Sequence, residues 1–95
     1  MNKEYFVYIV TNYGNTVFYT GITNNLERRI WEHKKKMNPG SFTSKYKIYK
    51  LVWFTSFSDP VEAITHEKVV KDMRREKKII LIKTKNPYFK DLSLC

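Results

Sequence analysis

The first nineteen residues constrain the fold more than any other stretch of the chain. Tyr5 to Val10 is an unbroken run of apolar, β-branched and aromatic residues, the composition of a strand. "TNYGN", Thr11 to Asn15, then supplies Asn and Gly, which tolerate positive φ and close tight turns. Thr16 to Tyr19 reads as the returning strand, and Gly21 is expected to end it. The chain is therefore expected to open on a β-hairpin.

The segment after the hairpin has helical period. Asn24 or Asn25 can cap a helix, Glu27 stands three after Asn24, and Leu26, Ile30 and Trp31 are spaced to face inward. The helix should stop before "NPG" at Asn38 to Gly40. Ile48 to Phe57 reads as a strand that is apolar on both faces, and so is expected at the centre of the sheet. Asp59-Pro60 then gives an N-cap with proline in the first turn, opening a helix to about Met73. "KKIILIKTKN" reads as a further helix, and "NPYFKDL" as an extended or turning end. The order predicts one α+β domain over residues 1–95, with a small, mainly antiparallel sheet.

Charge narrows the partners. Eighteen Lys and Arg against nine Asp and Glu leave a formal net charge of +9 on 95 residues, a field that attracts polyanions and nucleic acid first. Lys34, Lys35 and Lys45 are among the side chains that could track phosphates, and Trp31, Tyr46 or Trp53 could stack bases. No apolar run reaches membrane-spanning length, and the single cysteine, Cys95, excludes an internal disulfide framework and a Cys-rich zinc site. The expectation is a soluble, cytoplasmic protein that makes no membrane contact.

Nucleophile elbows, P-loops and dinucleotide-binding glycine patterns are missing, and His33 and His66 lie too far apart for a ligand pair. A hard divalent ion needs only one or two carboxylates, with water and phosphate completing its shell, and Glu67 is a candidate; an ordinary helix-face pair with Lys71 is the alternative. Tyr8 and Tyr19 can be cross-strand packing, or acid–base groups if a nearby cation lowers their pKa. Arg29 offers phosphate a planar fork, and His33 lies one turn further along the same helix face.

These residues, in this order, resemble the GIY-YIG nuclease superfamily, in its small single-domain bacterial branch. "FVY" (Phe6 to Tyr8) and "YTG" (Tyr19 to Gly21) stand at the two tripeptides, "LERRIWEH" selects Leu26, Arg29 and His33, and "AITHE" selects Ala63 and Glu67. The match runs from about Tyr5 to Leu92. Phe6 stands where the family has glycine, Thr20 where it has isoleucine, and Ile22 where repair nucleases often carry lysine.

The resemblance implies a three-stranded antiparallel sheet flanked by helices and an endonuclease that hydrolyses DNA, ahead of RNA, in repair or recombination. It implies one divalent ion, Mg²⁺ or Mn²⁺, held by Glu67. Arg29 would steady the phosphate, Tyr8 or Tyr19 would be the general base, and His33 would support that tyrosine or the attacking water. Gly21 would let the backbone approach the phosphate, and Asn86 is the nearest candidate for a late asparagine of the site. A repair protein is a possible partner. The alternative is a nucleic-acid-binding module that keeps the fold with little or no turnover.

Overall fold

The computed structural model describes residues 3–35, 48 and 50–93. Lys45, Tyr46 and the "NPG" stop lie outside the described residues. Three strands and three helices succeed one another: β1 (Tyr5–Thr11), β2 (Phe18–Thr23), α1 (Leu26–Lys35), β3 (Lys50–Phe57), α2 (Pro60–Lys71) and α3 (Arg75–Lys85). The sheet is antiparallel throughout, in the order β2-β1-β3. This is the α+β fold expected, and the "KKIILIKTKN" segment is helical.

Two expectations about the sheet are corrected. The central strand is β1, not β3. Val7 to Thr11 are fully buried, whereas β3 is buried on both faces only through Leu51, Val52 and Trp53 and becomes exposed from Phe54 onward. Val10 pairs with Leu51 and Ile9 with Trp53, so a bulge at Val52 turns Val52 and Trp53 to one face while Leu51 points to the other. The second correction concerns Gly21, which lies inside β2 opposite Tyr8 instead of ending the strand.

Asn12 builds the hairpin turn: its Oδ1 accepts from the N–H groups of Thr16 (2.8 Å) and Val17 (3.1 Å). The left-handed residue there is Asn15, at φ 58°, and Gly14 has no positive φ. Asn25 caps α1, accepting from the Arg28 N–H at 3.1 Å, and Asp59 caps α2 by accepting from Val61 at 3.2 Å, with Pro60 in the first turn. Trp31 does not face inward and is 44% exposed.

Side chains alternate across the sheet, giving the molecule two apolar layers. Val7, Ile9, Val52 and Trp53 face Ala63 and Val70 of α2 and Ile82 of α3. Tyr8, Val10 and Leu51 face the other way, toward Ile30 and Leu26 of α1. The end of the chain is tied back by side chains. The buried Asn86 amide donates to the carbonyls of Val52 (3.0 Å) and Lys90 (2.8 Å), and its Oδ1 accepts from the Lys90 N–H (3.0 Å).

Asn86→Ala removes those three bonds and leaves the Val52 carbonyl buried without them. It is expected to lower unfolding stability by about 2–3 kcal/mol in urea titrations. A loss below about 0.5 kcal/mol, the range of an ordinary surface change, would contradict this reading.

Candidate active site

The centre of the α1 face is the Tyr8 phenol. In-register pairing sets Tyr8 against Gly21 on β2 and Phe54 on β3. The ring lies across Gly21. A Cβ built at that position would fall inside contact distance of the Tyr8 Cζ and hydroxyl oxygen and only 2.9 Å from Cε1. Gly21 is needed for space, since no glycine among the described residues has positive φ. The close approach it permits is that of the Tyr8 ring to the β2 backbone.

α1 then brings two groups to the phenol from successive turns. Arg29 Nε donates to the Tyr8 oxygen at 3.2 Å, and the same oxygen lies 3.3 Å from His33 Nε2. A guanidinium can only donate, so the tyrosine accepts from Arg29 and has its own proton to give to His33. That places the His33 proton on Nδ1, a tautomer assigned from the network. The Tyr8 and Tyr19 rings both meet His33 edge-on, with centroids 5.9 and 6.0 Å away. Tyr8 is fully buried; Tyr19 is half-buried at the margin of the cluster.

Electrostatics fix the protonation states. Burial, and then the Arg29 charge, push the His33 pKa down to about 4, so the imidazole is neutral near pH 7. Burial raises the Tyr8 pKa and outweighs the opposing effect of Arg29, so the phenol keeps its proton. Arg29 is held still more firmly in its charged form, chiefly by the Tyr8 hydrogen bond. The sequence suggested that a cation could depress a site tyrosine; at Tyr8 burial outweighs the cation.

Glu32 was not singled out from the sequence. Its Oε1 lies 3.4 Å from an Arg29 terminal nitrogen, and together with the Tyr8 bond this fixes the plane of the guanidinium. The signal was its place three residues after Arg29 on a helix. The remaining N–H groups of the fork belong to a side chain that is 37% exposed.

The other predicted residues are placed differently. Lys34 Nζ pairs with Asp91 Oδ2 at 2.5 Å, and Asp91 Oδ1 also accepts from the Leu51 N–H, so Lys34 helps to clasp the tail to the sheet. Lys35 is exposed at the end of α1. Asn86 commits its amide to backbone groups, and Trp53, 3% exposed, is core and presents no stacking surface.

Glu67 lies on the Ala63–Val70 stripe of α2, and those two neighbours pack on the sheet face away from Tyr8. α2 packs chiefly against the edge strand β2, and among the described residues no hydrogen bond or ion pair joins Glu67 to Tyr8, Arg29 or His33. The carboxylate is half-buried, and among the described residues it makes neither the Lys71 pair nor any other ion pair or hydrogen bond. Among the described residues no three His, Cys, Asp or Glu gather as a metal cluster. One unpaired carboxylate still suits a hard ion whose other ligands are water and phosphate oxygens.

Comparison with known proteins shows the family and the fold. The GIY-YIG catalytic domain family model matches residues 4–88. The UPF0213 protein of Vibrio parahaemolyticus is 31% identical over 85 residues, covering 90% of this chain and 78% of that protein. The UPF0213 protein of Desulfotalea psychrophila is 34% identical over 85 residues, covering 90% and 76%. The solution structure of a UPF0213 protein from Bacillus halodurans superposes with a TM-score of 0.59 at 28% identity, over 93% of this chain and 92% of that one.

Gly21→Ala is expected to push the Tyr8 ring off the strand and lower stability by about 1–3 kcal/mol. In a Tyr8→Leu background the same change should cost much less, because the ring it collides with is gone. Equal costs in both backgrounds, measured by denaturant unfolding, would contradict the cradle.

Proposed function

The chain belongs to the GIY-YIG family, in its UPF0213 branch, and on that premise we propose that it is a metal-dependent endonuclease that hydrolyses phosphodiester bonds in nucleic acid, DNA ahead of RNA. The observation that carries the reading is the Arg29 guanidinium, fixed in plane by Tyr8 and Glu32 and still partly open to solvent. A planar fork that need not reorganise suits a phosphate whose charge grows in the transition state. The +9 net charge would draw the polyanion to it.

Burial divides the roles. Tyr8 is sealed beneath the site, so it orients Arg29 and His33 and does not meet the water. Tyr19, half-buried and edge-on to neutral His33, is the residue we assign as general base, its phenolate form taking the proton of an attacking water. Glu67 is the residue offered to Mg²⁺ or Mn²⁺. When bound, one such ion supplies charge at the phosphate and at the leaving oxygen. We place this activity in repair or recombination, with a repair protein as a partner.

The second reading is a binding module with the same fold and little turnover. It is favoured by one observation: Ala63 and Val70 of α2, the helix that carries Glu67, pack on the sheet face away from Tyr8.

A cleavage panel of single-stranded, nicked and branched DNA and RNA in Mg²⁺ or Mn²⁺ separates the two. The nuclease reading expects cleavage, reduced about 10²-fold or more by Arg29→Ala or Glu67→Ala. No cleavage of any substrate, with steeply salt-dependent binding that Glu67→Ala leaves unchanged, would overturn it in favour of the binding module.

A further inference from the structure

Beside the Tyr8 cluster, on the same sheet face, lies an apolar cleft of about 350 Å³. Leu26 and Ile30 of α1, Leu51 and Phe54 of β3 and Leu92 of the tail line it, and Glu27 is its one charged residue among the described ones. Phe54 is the direct cross-strand partner of Tyr8 and is 37% exposed. Phe6 braces it, ring against ring at 6.4 Å and 62°. Phe6 is also the residue that stands where the family's first tripeptide has glycine. Thus the departure from the motif adds an aromatic pair two residues along β1 from the site.

An exposed aromatic and an apolar cleft next to a phosphate-directed arginine ask for a ligand that is flat, apolar on its faces and tethered to phosphate. Directly opposed strand residues have Cβ atoms about 5 Å apart, so what lies on Phe54 is a near neighbour of what the Tyr8–Arg29 pair holds. Helix α1 serves both places, presenting Arg29 to the phosphate and Ile30 to the cleft. The +9 charge selects a polyanion over an uncharged or cationic partner.

We propose that this cleft takes an unstacked nucleobase adjacent to the phosphate held at Arg29, with Phe54 as its stacking face and Phe6 as the brace. The inference rests on the nucleic-acid reading of the site and names its substrate class: strands with an unpaired nucleotide at the point of attack. A base in a perfect duplex must first leave its stack, which costs least where it is already unpaired. Stacking on an aromatic ring accepts any base, so the cleft selects for unpaired structure more than for sequence.

The test uses a single-stranded oligonucleotide carrying one 2-aminopurine, bound in EDTA so that turnover plays no part. The wild-type protein should quench the 2-aminopurine fluorescence, and a perfect duplex should bind more weakly. Phe54→Leu keeps the site apolar and is expected to lose the quenching and about tenfold in affinity, with the salt dependence unchanged. Phe54→Trp restores a ring face and should retain both; Phe6→Leu should weaken both. If Phe54→Leu fails to fold, the Phe54→Trp and Phe6→Leu results decide. Phe54→Leu binding and quenching as well as wild type overturns the cleft while leaving the cleavage reading intact. Wild-type protein that binds no nucleic acid overturns both.

Discussion

The tyrosine ring of β1 lying flat over a strand glycine is the contact on which the site depends. With any side chain at Gly21 the Tyr8 phenol could not reach the place where Arg29 and His33 converge. The hairpin supplies the register that brings Tyr8 and Gly21 together, and the central place of β1 buries the ring. Helix α1 contributes both partners because residues four apart share a face. Strand pairing, packing and hydrogen bonding therefore meet in one side chain, and a change to any of them moves the others.

Burial gives the cluster its chemical character. It drives His33 to its neutral form, keeps Tyr8 protonated and leaves Arg29 as the charge at the centre. The neutral imidazole adds no second positive charge beside Arg29, whose charge is shared with Glu32. Tyr19, half-buried at the margin, meets the same imidazole edge-on. Behind the sheet, α2 and α3 form the second apolar layer with Val7, Ile9 and Trp53, and Glu67 rides on that layer's outer helix.

Local rules made much of this legible. Asp59-Pro60 announced its helix, the hairpin came from "TNYGN", and the Arg29–His33 spacing placed both on one face. What stayed hidden depends on partners distant in sequence. Gly21 looks like the end of a strand until the Tyr8 ring is seen above it. Lys34 looks like a free phosphate contact until Asp91, 57 residues away, takes it. Trp53 looks like a stacking residue until α2 and α3 cover it. β3 is apolar on both faces, with Leu51 in one layer and Val52 and Trp53 in the other, yet it lies at the sheet edge, because strand order is set by pairing rather than by composition. Each miss arose where a long-range contact overrode the ordinary behaviour of the residue type.

The state of the His33 ring tests this account most directly. Nitrogen chemical shifts of the imidazole, tracked by NMR from pH 7.5 to 3.5, are expected to show a neutral ring with its proton on Nδ1 that titrates near pH 4. Tyr8→Phe should alter the Nε2 shift, since it removes the donor that faces it. A ring that protonates near pH 6.5 would show that the phenol is not held between a cation and a neutral imidazole, and a proton on Nε2 would show that the phenol does not donate to it.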